Sequence, residues 1–288
     1  MILVTGATGL VGTPLTELLA RRGAKVRAVS RDPKAVVPQG VALVTGDPAK
    51  PDTIAEALDG VTALFLHPRA VGDAADALAA LARRRGVSRI VALSATNVDD
   101  PLDEQPSRVR GDRNREAEDA AVAHGREWTS IRVGYFALNA LTSWGGQIHN
   151  SDVVRGPYAD FAVAPIHERD IAAVAAHALL TPDLVGRKVN LSGPAILRHA
   201  DMVATIGTVL NRPLRYQEIP PEAAARALTG AGLPESLANA FVANYTRDWG
   251  LGAMATGEVE RILGRGGLTF ADWVADHADA FAAPTAAR

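Results

Sequence analysis

Gly6-Ala7-Thr8-Gly9-Leu10-Val11-Gly12 follows the apolar run Ile2-Leu3-Val4-Thr5 directly. It opens a stretch in which Val11, Leu15, Leu18 and Leu19 fall on one helical face. Three glycines at this spacing, after a strand and at the start of a helix, suit the pyrophosphate of a dinucleotide. Gly6 permits a sharp turn, Gly9 admits the phosphates close to the backbone, and Gly12 lets the helix pack tightly on the strand. The free N–H groups of the helix then face the phosphates, and the helix dipole adds to the attraction. An ordinary strand-to-helix turn is the bland alternative, and this context disfavours it.

Downstream, Val26–Ser30, Val41–Thr45, Ala63–Leu66, Ile90–Ser94 and Thr129–Val133 read as strands. Most lack polar alternation, as expected of parallel strands covered on both faces. Helical stretches separate them: a short one with Ile54, Ala57 and Leu58, an Ala/Leu-rich run from Ala74 to Ala82, and a charged one from Asp112 to His124. This alternation predicts an α/β fold, a Rossmann-like doubly wound parallel sheet with right-handed crossovers. From Tyr135 to Pro165 the periodicity fades around Trp144-Gly145-Gly146 and Gly156-Pro157-Tyr158. A helix at Glu168–Leu180, a strand at Lys188–Leu191 and a helix at His199–Leu210 follow. Short helices punctuated by Gly232, Pro234, Gly250-Leu251-Gly252 and Gly264 close the chain. The expected organisation is a nucleotide-binding domain over residues 1–134, with returning elements near 165–192. A smaller, mainly helical C-terminal cap over 135–288 completes a substrate pocket.

Composition narrows the function classes. The 288 residues are 48% hydrophobic and 22% charged, which excludes a disordered chain. Lys and Arg number 30 against 32 Asp and Glu, so no broad affinity for nucleic acid or an anionic membrane is expected. The densest basic cluster, Arg83-Arg84-Arg85, closes the Ala/Leu-rich run and reads as a solvated helix end. No apolar run reaches the roughly 18 residues of a membrane span. There is no Cys, hence no thiolate metal site and no cysteine nucleophile. With a strand already at Met1-Ile2-Leu3-Val4 and no charged leader, a cytoplasmic address is expected. The seven histidines form no metal-ligand pattern; His167-Glu168 and Asp170 look like a helix start, so no metal is expected. Asp100, Asp103 and Glu104 sit among prolines and read as a solvated loop.

The end of the second strand selects the dinucleotide. An NAD site places a carboxylate there for the adenosine ribose. Here the strand ends Val29-Ser30-Arg31, with Lys34 close behind. Arg31 suits stacking on adenine and pairing with a 2′-phosphate. Asp32 competes, but Asp32-Pro33 fits a helix N-cap followed by proline at the first helical position. NADP(H) is therefore expected, with NAD(H) the less favoured choice.

Further carriers follow in order: Gly46-Asp47, Gly60-Val61, Leu93-Ser94-Ala95, Glu118, Trp128-Thr129-Ser130-Ile131-Arg132, Asn139 and Asp170-Ile171-Ala172. With the glycine loop and Arg31-Asp32-Pro33, they make the chain resemble the NmrA-like atypical short-chain dehydrogenase/reductases over nearly its whole length. Among these it is most similar to the NAD(P)H:quinone oxidoreductase type. The resemblance implies that Asp47 meets the adenine amino group. It also implies that Leu66-His67-Pro68, Ser94 and Gly134-Tyr135 border the ribose and nicotinamide. Gly6, Ala7, Thr8, Gly9, Leu10, Val11, Arg31 and Lys34 complete the expected cofactor-binding set. His67 reads equally well as a strand-end loop histidine.

Ordinary members of the wider superfamily reduce carbonyls with a Tyr-x-x-x-Lys pair. Here Tyr135, Tyr158, Tyr216 and Tyr245 are followed four residues later by Asn139, Ala162, Pro220 and Trp249, so none has its lysine. Counted back from Glu118, the corresponding positions hold Gly111 and Arg115. Gly111 is no acid, and Arg115 keeps a cation that exchanges no proton near neutral pH. A proton donor contributes about 10²–10⁴-fold to such a step. A site without one suits acceptors whose reduced form is a stable anion, such as quinones and conjugated enones or imines. Arg115, solvent or a nearby hydroxyl would meet the developing oxyanion; alternatively Tyr135, Tyr158 or His67 supplies a proton from a non-standard position. Tyr135, Arg115 and His67 are thus the catalytic candidates.

The aromatics Tyr135, Phe136, Trp144, Tyr158, Phe161, Phe241, Tyr245 and Trp249 lie in the cap. They read either as a pocket for a small apolar or aromatic substrate or as plain cap core. The leading expectation is an NADPH-dependent oxidoreductase acting on a quinone or other conjugated ketone. A non-catalytic NAD(P)-sensing regulator and a tailoring ketoreductase, dehydratase or epimerase are the alternatives. The longer helices offer surfaces for a homodimer, with none singled out.

Overall fold

The structure, a computed structural model, describes the whole chain except residues 103–104, 231, 233, 236–237, 240–241, 244–252 and 283–288. The chain divides into two units. The first comprises Met1–Gly134, Glu168–Leu191 and Glu258–Arg265; the second comprises Tyr135–His167, Ser192–Gly257 and Gly266–Arg288.

The first unit is built on seven parallel strands: β1 (Ile2–Val4), β2 (Val26–Ser30), β3 (Val41–Thr45), β4 (Ala63–Leu66), β5 (Arg89–Ala95), β6 (Glu127–Val133) and, after the second unit's first segment, Arg187–Leu191. Their order across the sheet is Arg187–Leu191, β6, β5, β4, β1, β2, β3. The order reverses between β1 and β4, and the register brings Val4 beside Phe65 and Leu66 beside Ala92. Crevices beyond the carboxyl ends of strands at such a reversal are where ligands bind in open α/β sheets.

Both faces of this sheet are covered, which is why its strands read as continuous apolar runs. On one face Leu3, Leu64, Leu66, Ile90 and Ala92 pack with Val71 of the short α2 (Pro68–Val71), Leu78, Ala79 and Ala82 of α3 (Ala75–Arg84) and, beyond the one-turn α4 (Pro106–Val109), Ala117 and Ala121 of α5 (Asn114–His124). Over the other face lie α1 (Gly12–Arg21) and Glu168–Leu180, burying Val4, Phe65 and Val91. The expected short helix around Ile54 is two 3-10 turns, Pro51–Ile54 and Glu56–Leu58. The returning helix Glu168–Leu180 matches its expected limits, and Glu258–Leu263 packs beside it.

The second unit has its own core. Helices α6 (Leu138–Asn150), His199–Leu210 and Phe270–Asp276 contribute Ala140, Trp144, Ile148, Met202, Ile206, Trp273 and Val274, all buried. Among the described residues three two-stranded pairings accompany them: Tyr135–Phe136 with Pro165–Ile166, Ala162–Val163 with Leu197–Arg198, and Val153–Gly156 with Arg215–Glu218. The helix α6 corrects the reading of residues 135–165 as weakly periodic. Ala137, Ala140, Trp144 and Ile148 form a buried stripe on it, so packing overrides the two glycines at its centre. His199 is buried against the Trp144 and Phe161 rings, with centroids 5.2 and 5.1 Å away. Burial pushes its pKa down to about 4, so it serves this core as a neutral side chain. Among the described residues, no helix is long and apolar enough to cross a membrane.

Candidate active site

The glycine loop is shaped by close backbone approaches. Gly6 has a φ of +64°, a left-handed conformation that other residues adopt only with strain. A Cβ on Gly6 would lie 2.7 Å from His67 Cγ, and one on Gly12 would lie 2.1 Å from Gly6 O and 2.7 Å from Ala7 Cα. The Gly9 N–H donates to Gly6 O at 3.0 Å, and the Thr13 N–H to Gly9 O at 2.9 Å. Ala7 and Val11 are buried as anchors, whereas Thr8 and Gly9 are exposed and Leu10 half-exposed. The helix α1 then starts with no side-chain cap and no acid in its first turn. A dinucleotide's diphosphate fits this arrangement: the N-terminal amides have no competing carboxylate, and no side chain on Gly9 stands in the way.

Thr5 fastens this loop to its neighbour strand. Its hydroxyl donates to Phe65 O and accepts from the His67 N–H, both at 2.8 Å. His67 is thereby held at the end of β4 with its ring against Gly6. Its Nδ1 is buried without a hydrogen-bond partner among the described residues. Burial lowers its pKa, against the attraction of Asp112, so His67 is neutral at pH 7. Asp112 itself is engaged by Arg69 through two bonds of 3.1 and 2.9 Å.

The residues expected at the adenosine end follow β2 and β3. Arg31 and Lys34 are exposed and form no ion pair among the described residues. The helix expected after Asp32-Pro33 is absent; the segment is a turn instead. Asp32 Oδ1 accepts the Lys34 N–H at 2.8 Å and Asp32 O the Ala35 N–H at 3.2 Å, so the carboxylate caps a turn. It remains exposed but partly spoken for. Asp47 follows β3, where Gly46 bonds Ser30 O at 2.9 Å and Thr53 Oγ1 accepts the Asp47 N–H at 2.9 Å.

At the ends of β5 and β6 the polar groups are committed to their own scaffold. Ser94 is buried, its hydroxyl 3.5 Å from Asn114 O. Gly134 is exposed and bonds Leu191 O at 3.1 Å. Arg115 turns one guanidinium nitrogen onto a neighbouring loop: its Nη2 donates to Val98 O at 2.6 Å and Asp100 O at 3.1 Å, while its Nε is buried without a hydrogen-bond partner among the described residues. Gly111, at φ +89°, closes a turn. Behind these stands a buried charge network missed as such in the sequence. Glu118 of α5 accepts from Arg132 at 2.6 Å, Ser130 at 2.5 Å and Lys188 at 3.0 Å, while Arg132 also holds Asp99 at 2.6 Å. Burial pushes the Glu118 carboxyl up, but the bonds from Arg132, Ser130 and Lys188 outweigh it and hold the pKa at about 2.

The first unit thus brings Gly6 to Val11, Arg31, Lys34, Asp47, His67, Ser94 and Gly134 to the carboxyl edge of one sheet. Tyr135 belongs to the second unit, paired through Tyr135–Phe136 with Pro165–Ile166. The cap aromatics are largely core: Trp144 and Phe161 are buried, and Tyr135 and Tyr158 pack against the same cluster. Phe241, Tyr245 and Trp249, like Asp103 and Glu104, lie outside the described residues.

Comparison with known proteins agrees with this geometry. A family model described as NAD(P)H-binding matches residues 6–182. The chain is 38% identical to a (4-alkanoyl-5-oxo-2,5-dihydrofuran-3-yl)methyl phosphate reductase of Streptomyces griseus, over 98% of this chain and 99% of that one. It is 32% identical to an NAD(P)H azoreductase of Xenophilus azovorans, over 98% and 100% of the two chains. Its backbone is similar to that of an NADPH-dependent quinone oxidoreductase from Escherichia coli complexed with NADPH, with a TM-score of 0.81 at 24% identity, over 96% and 99%. The chain belongs to the NAD(P)H-binding family, among the NmrA-like atypical short-chain dehydrogenase/reductases, and is an NAD(P)H-dependent oxidoreductase.

Proposed function

We propose that the protein uses NADPH to reduce a small conjugated acceptor, a quinone or another conjugated ketone, without a Tyr-x-x-x-Lys pair. The carrying observation is the glycine loop and uncapped start of α1 at the sheet's reversal point, flanked by the exposed Arg31 and Lys34. Bound there, NADPH supplies a hydride. The loop amides would hold the diphosphate, Arg31 and Lys34 would pair with the 2′-phosphate, and Asp47 would serve the adenine. Neutral His67 borders the nicotinamide ribose as a wall or a neutral N–H donor rather than an imidazolium acid. Tyr135 is a candidate for contact with the acceptor's developing charge, and Arg115 acts through the loop it holds.

Conjugation is what such a site needs. When the reduced product is a delocalised anion, the final proton can come from water, and no strong acid has to stand ready. The relatives' names fit this reading: an azo reductase, a quinone oxidoreductase, and a reductase whose named dihydrofuran bears a ring double bond conjugated to two carbonyls. A cytoplasmic address, supported by the Cys-free sequence, is part of the proposal.

The test is consumption of NADPH absorbance with a panel of quinones, azo dyes and acyl-butenolides, set against unconjugated ketones. Turnover is expected with conjugated acceptors and at least roughly 100-fold slower with simple ketones, the margin a missing proton donor leaves. NADPH binding without turnover of any acceptor would favour the sensor reading. Equal rates on unconjugated ketones would reveal a proton donor in a non-standard place.

A further inference from the structure

We propose that Thr96 is the hydroxyl that meets the acceptor's oxygen during reduction, and that Arg115 and Gln105 are the positioning residues that fix its loop. The inference rests on the reductase reading above.

Hydride addition to a conjugated ketone moves a π pair onto oxygen. The acceptor gains two electrons and one hydrogen, the dinucleotide is oxidised, and the second hydrogen arrives as a proton from water. Between those events an oxyanion must be met by a donor. In the first unit, most donors at the carboxyl edge are already engaged. The Thr5 hydroxyl bridges Phe65 O and the His67 N–H. Ser94 is buried and turned toward Asn114 O. Arg115 Nη2 serves Val98 O and Asp100 O, and its unpartnered Nε is buried. Thr96, two residues past Ser94, is exposed, and its hydroxyl has no hydrogen-bond partner among the described residues. Its Oγ1 and Cγ2 lie 3.9 Å from where a Cβ on Gly134 would stand, so it flanks the bare backbone at the end of β6.

The loop carrying Thr96 is held with unusual thoroughness. The Thr96 N–H donates to Val133 O and the Val98 N–H to Ala95 O, both at 3.1 Å. Two side chains then converge on one pair of carbonyls. Arg115 Nη2 reaches Val98 O and Asp100 O, and Gln105 Nε2 reaches the same two oxygens at 3.1 and 2.9 Å. Arg132 grips the intervening Asp99. Gln105 is 2% exposed, a long polar side chain buried to secure two main-chain groups of a short edge loop. Preorganisation of this kind is what a donor aimed at a transient charge requires. Arg115 thus supports catalysis through Thr96 and not by touching the acceptor.

Steady-state kinetics with a quinone and an acyl-butenolide test the assignment, using Thr96→Ala, Thr96→Val, Thr96→Ser and Gln105→Leu. Thr96→Ala and Thr96→Val should lower kcat roughly 10- to 100-fold, the factor one hydrogen bond to a charged oxygen carries. KM for NADPH and the melting temperature should stay at wild-type values. Thr96→Ser should recover most of the rate. With both acceptors the deficit should fall on kcat and not on the KM for NADPH, a split that a purely structural role would not produce. Gln105→Leu should lower kcat while leaving NADPH binding intact. Wild-type kcat in Thr96→Ala and Thr96→Val on both acceptors would overturn the assignment. A wild-type enzyme that binds NADPH but turns over neither acceptor would instead overturn the reductase reading on which it depends.

Discussion

Gly12→Ala should cost the protein its dinucleotide site and part of its stability together. The added methyl group would stand 2.1 Å from Gly6 O, 2.7 Å from Ala7 Cα and 2.8 Å from Gly6 C, all of them backbone atoms. No side chain can rotate away to relieve this, so the start of α1 must move off the loop. Overpacking of this kind costs about 1–3 kcal/mol. The displaced amides would also lose their aim at the diphosphate. Forfeiting two charge-assisted bonds lowers NADPH affinity by roughly 100-fold or more. Gly9→Ala separates the two effects. Its Cβ would meet only Gly6 O, at 3.3 Å, on an exposed stretch. That variant should melt within about 0.5 kcal/mol of wild type, the range of ordinary surface changes, yet bind NADPH weakly. Chemical denaturation and fluorescence titration read the two quantities. Full NADPH affinity in Gly12→Ala would show that the diphosphate sits elsewhere.

Glu118→Leu should destabilise the first unit strongly. It strips the buried partner from Arg132, which is 7% exposed and keeps only the exposed Asp99, and from Ser130, which is fully buried. Breaking a buried ion pair from one side costs up to roughly 3–5 kcal/mol, and the exposed Asp99 offsets only part of it. The same network predicts a pH signature. The Glu118 carboxyl titrates at about 2 in the folded protein against 4.5 for the free group. Its folded pKa is depressed, so its contribution is complete above pH 4.5 and drains away as pH falls toward 2. The drain amounts to about 3 kcal/mol. Glu118→Gln, which keeps an acceptor without the charge, should be less stable at pH 7, and the gap to wild type should narrow below pH 4.5. A gap independent of pH would mean that the carboxylate's charge contributes nothing. Asp99, largely exposed on the same Arg132, is depressed too but screened by water.

The parallel sheet was legible because its strands are covered on both sides. Leu64 and Phe65 face opposite helices yet are both fully buried, so Ala63–Leu66 announces itself as an unbroken apolar run. The glycine loop was legible because a left-handed φ at Gly6 and close backbone contact at Gly12 both favour glycine. What escaped depends on long-range partners. The stripe Ala140, Trp144, Ile148 marks α6, but Gly145-Gly146 reads as a breaker until the packing around Trp144 is known. Asp32-Pro33 has the composition of a helix start, and only the local bond from the Lys34 N–H shows a turn. Arg115 matches a family position on sequence, whereas its two carbonyl partners, Val98 and Asp100, stand far from it along the chain. Gln105 carries no motif at all. Thr96 did leave a trace, since it directly follows Leu93-Ser94-Ala95 at a strand's carboxyl end, where catalytic groups of α/β folds collect.

Calorimetric titration of the wild-type protein and Arg31→Ala with NADPH and NADH addresses the central claim, that a 2′-phosphorylated dinucleotide lies along this sheet edge. Wild type should bind NADPH, and Arg31→Ala should weaken it by roughly 1.5–3 kcal/mol, the worth of a bond to a charged group, while leaving NADH nearly untouched. Heat of binding from neither nucleotide would contradict the account outright, and equal losses for both would place Arg31 away from the 2′-phosphate.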